Sequence, residues 1–134
     1  MRSTKDVESY LLRMGRPYHE APDGTYVVSI GSIPVAIRLA TPLLLARVDI
    51  GTLPKSRREP LFQHLLQLNA TALVHSAYGV DGEHIMLGAA LEMENLDYNE
   101  LDAILAEIDL ALVQQLPHIR ELAQAEGAPA AAPR

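Results

Sequence analysis

The sequence has no cysteine, no tryptophan and a single phenylalanine. Without cysteine there is no disulfide, no thiol nucleophile and no thiolate metal site. A disulfide-scaffolded secreted module is thereby excluded, while the redox compartment stays undetermined. With so few aromatic rings, the core must be aliphatic. Basic residues are also scarce: 11 Lys and Arg stand against 17 Asp and Glu, for a formal net charge of −6. That balance leaves no basic footprint for a phosphate backbone, so nucleic acid is not an expected partner. No apolar run reaches the length of a membrane span, and MRSTKDVESYLL has no apolar stretch of signal-peptide length. The expectation is a cytoplasmic protein with no membrane partner. There is no Gly-rich phosphate loop, no repeat and no long heptad seam.

What is present is a chain of 134 residues, enough for one domain with a real core. Its centre is Leu65 to Met93. Leu61, Leu65 and Leu68, with Phe62 and Leu66 beside them, form a broad apolar helical stripe, and Asn69 reads as its stop. Two apolar runs follow, divided by Asp81-Gly82, a strong signal for a type I′ hairpin. That turn would set Val80 opposite Glu83, Tyr78 opposite Ile85 and Ser76 opposite Leu87. Alternation then sends Val74, Tyr78, Val80, Ile85 and Leu87 to the core. The other face carries His75, Ala77, Gly79, His84, Met86, Gly88 and Ala90.

Upstream, Ser3 with Asp6 opens a helix over 3–14, which Gly15 stops. Gly31-Ser32 forms a hairpin loop with Gly first, pairing Ile30 with Ile33, Val28 with Val35 and Tyr26 with Ile37. Thr41-Pro42 turns the chain again, and LLLARVDI points Leu44, Ala46, Val48 and Ile50 inward. Ser56 and Glu59 form a capping box for a helix over 57–69. Asp97 and Glu100 form another, with Leu96 stapling onto Leu101 and a buried stripe through Leu101, Ile104, Leu105, Ile108 and Leu112. Pro117 ends or kinks that helix, and PHIRELAQAE resumes as a further turn or two. The fold class is α+β, in the order α-β-β-β-α-β-β-α, with an antiparallel sheet flanked by helices. One domain is expected over 1–126, followed by a disordered tail over 127–134.

No catalytic group stands out. In the Asp81-Gly82 register His75 and His84 lie about 13 Å apart along the ladder, too far to share one ion, so no metal or cofactor is expected. Glu92, Glu94, Asp97, Glu100 and Asp102 surround a helix N-terminus, which the helix dipole explains. Lys55, Arg57 and Arg58 read as a solvated loop. The unexplained feature is apolar surplus: Val27, Leu43, Leu45 and Met86 remain on the outer sheet face. With Arg47 and His75 beside them, they are the candidate partner-binding or dimer surface.

The helix end Leu65, Leu66, Leu68, Asn69 carries a family resemblance, together with Tyr78, Gly79, Val80, Asp81, Gly82 at the hairpin, Leu91, Leu96 and Glu100-Leu101. The chain resembles the small acidic chaperones of type III secretion (the CesT-like class I fold) and the related YbjN-like domains over about residues 3–125. The Pro117-interrupted last helix is more similar to the YbjN-like group. The resemblance implies a cytoplasmic homodimer without enzymatic activity, a chaperone or regulatory module. It would hold a secreted or regulatory partner segment on apolar sheet and helix surface, with a strand added to a sheet edge. The alternatives left open are a small-molecule-binding role and a structural subunit of a larger assembly.

Overall fold

A computed structural model describes residues 3–124. The helix expected from Ser3 and Asp6 is α1, Thr4–Met14, and the Ser3 amide donates to Asp6 Oδ2 at 2.8 Å. Gly15 closes it in the left-handed region at φ 74°. A short strand β1, Tyr18–Glu20, was not expected from the sequence, because three residues are too few to show an alternation. Next come β2, Tyr26–Ile30, β3, Ile33–Ala40, and β4, Leu43–Thr52. The β2–β3 register is the expected one, with Ile30 opposite Ile33 and Tyr26 opposite Ile37. Leu44, Ala46, Val48 and Ile50 point into the core as read.

The second half comprises α2, Arg58–Thr71, β5, Ala77–Asp81, β6, His84–Glu92, α3, Tyr98–Gln114, and α4, Leu116–Gln124. The residue before α2 is Arg57, in the left-handed region at φ 59° and with no side-chain cap, so the Ser56–Glu59 capping box is not what opens this helix. The Asp97–Glu100 box does form: Asp97 Oδ1 accepts from the Glu100 amide at 2.8 Å, and the Asp97 amide donates to Glu100 Oε1 at 3.2 Å. Leu96 and Leu101 are both fully buried beside it. Pro117 sits in the first turn of α4, where its missing amide is tolerated, so the final helical stretch is a separate helix. The expected boundary at 126 and the tail 127–134 lie outside the described residues.

All strands join one antiparallel sheet, in the order β1-β2-β3-β4-β6-β5. The helices cover one face, where a single aliphatic core runs from Val7 and Leu11 on α1 to Ile119 on α4. The β5–β6 hairpin corrects the sequence reading. Val80 faces Ile85, Tyr78 faces Leu87 and Asp81 pairs with His84, so the loop is Gly82-Glu83, a shift of two. Only Gly82 has positive φ, 61°, while Glu83 does not, as a II′ loop requires and a I′ loop forbids. A shift of two keeps side-chain parity, so Tyr78, Ile85 and Leu87 are buried as expected. Val74 and Val80 are not: Val74 falls in the loop before β5 and is 82% exposed, and Val80 lies near the hairpin tip, 48% exposed.

Asn69 is also not the stop it was read as. The helix continues to Thr71, and the Asn69 amide instead seals the free edge of β5. Its Oδ1 accepts from the Tyr78 amide at 2.7 Å and its Nδ2 donates to the Tyr78 carbonyl at 3.1 Å. One step earlier on that edge, Glu107 of α3 takes over. Its Oε2 accepts from Val74 N at 2.7 Å, and Oε1 from His75 N and Ser76 N, both at 2.9 Å, and from Ser76 Oγ at 2.8 Å. Burial pushes the Glu107 carboxyl pKa up; these hydrogen bonds outweigh it, and the net shift is downward. An unpaired edge strand is a template for another chain; here Asn69 occupies the edge at Tyr78, and Glu107 ties down the residues that lead into it.

Candidate partner-binding surface

Alternation along the strands sends Val27, Ala36, Leu45 and Met86 away from the core, onto the face that no helix among the described residues covers. Cross-strand pairing brings them together. Val27 is opposite Ala36, Ala36 opposite Arg47, Arg38 opposite Leu45, and Met86 opposite Asp49. The result is an apolar-floored groove of about 470 Å³, bordered by Asp23, Arg38, Arg47 and Asp49. Beyond Leu45 and Met86 the same face continues as a shallow depression over Ala77, Gly79, Gly88 and Ala90, also about 470 Å³.

The charges around this floor are mostly tied to the protein itself. Arg47 reaches past Gly88, which has no side chain to obstruct it, and pairs with Asp81 of β5 at 2.9 Å. His84 Nδ1 meets Asp49 Oδ2 at 3.0 Å, and Asp49 Oδ1 accepts from the Gly51 amide at 3.0 Å. Asp23 Oδ1 accepts from the Thr25 amide at 3.0 Å. The hydrogen bonds from Thr25 hold its carboxyl below the usual range, with Arg38 a lesser influence. Arg38 itself is exposed and makes no hydrogen bond or ion pair among the described residues.

Of the six residues singled out from sequence, the structure therefore groups Val27, Leu45, Arg47 and Met86 in one groove. Leu43 is on the same face but at the end of β4, opposite Ala40 and Glu92, 36% exposed and outside the groove. His75 does not join them. It precedes β5, held by its backbone to Glu107. The strand starts at Ala77, so face parity read from the sequence did not apply to it.

A second apolar groove was missed. It runs between α2 and β5, about 450 Å³, and is lined by Leu53, Phe62, Leu65, Leu66 and Val80 with Asn69 at its side. Leu66 is 67% exposed. The signal was the width of the stripe: Leu61 and Leu65 make one row, Phe62 and Leu66 a second, and a single surface helix buries only one. No group of three or more His, Asp or Glu among the described residues is placed to hold a metal. No helix among them is long and apolar enough to cross a membrane.

The family model CesT_Tir_1 matches residues 1–125 of this chain. No curated protein matches it. Among solved structures, a chain of the heterodimeric complex ExoU–SpcU from the type III secretion system of Pseudomonas aeruginosa superposes with a TM-score of 0.68 at 16% identity, covering 83% of this chain and 95% of that one. YbjN from E. coli gives 0.64 at 13% identity, covering 87% and 93%. A chain of the Yersinia pestis type III secretion chaperone SycH in complex with a fragment of YscM2 gives 0.59 at 16%, covering 86% and 97%. At these identities the structural likeness speaks for the fold alone, and the fold is the one the sequence resembled.

Proposed function

The chain belongs to the CesT_Tir_1 family, the type III secretion chaperone family, and on that premise we propose that it is a non-enzymatic, cytoplasmic protein-binding module that works as a homodimer. Its partner is a protein segment, held on the outer sheet face. The observation that carries this reading is the groove itself: Val27, Leu45 and Met86 form apolar floor on a face without a helix over it. Apolar surface of this kind, rimmed by charge, is characteristic of protein–protein contact sites. Solved relatives support the class of partner, since both the ExoU–SpcU and the SycH–YscM2 structures are complexes of two proteins.

The two grooves suggest a division of labour. The one between α2 and β5 suits a second copy of the chain. Its floor of Phe62, Leu66 and Val80 is aliphatic and aromatic, and Asn69 blocks further strand pairing at Tyr78. The sheet face is then free for the partner. Light scattering on purified protein tests this directly. The wild type should have twice the chain mass, Leu66→Asp should be monomeric, and Leu45→Asp should stay dimeric but lose partner binding. A wild-type monomer would remove the dimer from the proposal, and retained partner binding in a folded Leu45→Asp would remove the sheet face.

A further inference from the structure

The proposed sheet-face site has a chemical bias that its apolar floor alone does not reveal. Three charged groups at its rim are already satisfied inside the chain: Asp23 by Thr25, Asp49 by His84 and Gly51, and Arg47 by Asp81. Arg38 is different. It lies directly beside Leu45 in the β3–β4 ladder, on the same face, and its guanidinium is exposed without a hydrogen-bond or ion-pair partner among the described residues. A guanidinium offers donors in a planar fork matched to a carboxylate and has no acceptor of its own. The carboxylates nearby already use acceptor oxygens inside the chain and have little to offer an incoming donor, so Arg38 is the rim group left to be met by a ligand.

We propose that the occupant of this groove is a short apolar protein segment bearing an Asp or Glu side chain, whose carboxylate pairs with Arg38 while its neighbouring apolar side chains cover Val27, Leu45 and Met86. This rests on the sheet face being the partner site. It adds a requirement for negative charge, on a chain whose own net charge of −6 would otherwise favour basic partners. Arg38 acts there as a specificity residue, since an exposed ion pair contributes modestly to affinity but discriminates against the opposite charge.

The test uses displayed random 15-residue peptides selected on the immobilised full chain, repeated on Arg38→Glu. The expected result is enrichment of Asp or Glu within a few positions of paired apolar residues on the wild type. On Arg38→Glu the selected charge should change to Lys or Arg. One selected peptide made synthetically should bind Arg38→Gln roughly fivefold more weakly, the upper end for an exposed pair. Replacing its acidic residue by the amide should give the same loss, and combining both changes should add nothing further. If peptides are selected that bind through the groove, losing affinity on Leu45→Asp or on Met86→Glu, yet show no acidic preference, the charge requirement is wrong and the partner site stands. Far-UV circular dichroism identifies which of those two variants is folded and therefore readable. If no peptide is enriched, or those enriched ignore both variants, the sheet face is not the site and the requirement falls with it.

Discussion

Replacing Glu107 by Gln should weaken this domain far more than a partly exposed side chain normally would. The carboxylate uses both oxygens: Oε2 for Val74 N, and Oε1 for His75 N, Ser76 N and Ser76 Oγ. An amide has one acceptor. If that oxygen keeps the three donors around Oε1, its NH2 faces the Val74 amide, donor against donor. One bond is lost, and the remaining three change from charge-assisted to neutral. A hydrogen bond to a charged group contributes about 1.5–3 kcal/mol, and a neutral one about half as much. Water reaches the site and replaces part of this, so the net loss should be about 2–3 kcal/mol. For a domain of this size that corresponds to a fall in Tm of roughly 6–12 °C.

The assay is urea unfolding of both proteins across pH. Because the folded pKa of Glu107 is lowered from its usual 4.5, its contribution is present above that value and fades as pH falls through the folded pKa. The gap between wild type and Glu107→Gln should therefore be full at neutral pH and close in acid. Hydrogen exchange at Val74, His75 and Ser76 should speed up in the variant before the rest of the sheet is affected. A difference under about 0.5 kcal/mol at pH 7, within the range of ordinary surface substitutions, would refute this role for the Glu107 carboxylate.

Other expectations follow from the same geometry. Asn69→Ala should cost about 1–3 kcal/mol through the unpaired Tyr78 amide and carbonyl, and should raise aggregation in turbidity assays by freeing the β5 edge. Gly82→Val should lower stability by about 1–2 kcal/mol in chemical denaturation, because φ 61° disfavours a β-branched residue. His64 packs edge-to-face on His118, ring centroids 4.7 Å apart, and its pKa is lowered by burial and then by His118. Protonation of His64 thus favours the unfolded chain, so stability should decline as pH falls below about 6.5, the ordinary histidine value. His64→Gln should flatten that limb of the stability–pH curve.

The sequence made the fold legible wherever a turn and an alternation agreed. Gly31-Ser32 placed β2 and β3 correctly because its loop and its apolar pattern select one register. At Asp81-Gly82 two loops were compatible with one apolar pattern, since a slip of two residues preserves every face. Parity alone could not separate Val80–Glu83 from Val80–Ile85. The errors at Asn69, Val74 and His75 have one cause. Side-chain hydrogen bonds from α2 and α3 define where β5 begins and what covers its edge, and those contacts join residues 9 to 33 positions apart. The sheet-face groove was legible as apolar surplus on LLLARV. The α2–β5 groove is not legible from the helix pattern, because Phe62 and Leu66 merge there with Leu61, Leu65 and Leu68 into one broad apolar stripe. Neither the ion pair of Arg47 with Asp81 nor the lack of a hydrogen-bond or ion-pair partner for Arg38 among the described residues is visible until the strands are laid side by side.

The most direct test puts a photo-crosslinking residue, p-benzoylphenylalanine, at Leu45 and irradiates the chain in its native cells. A partner-binding sheet face should give one or a few adducts with other proteins, each mapping by mass spectrometry to a short contiguous segment. The same residue at Leu66 should give mainly adducts between two copies of the chain. Absence of adducts at Leu45 in a folded, expressed protein, with foreign proteins captured only at Leu66, would contradict the assignment of the sheet face.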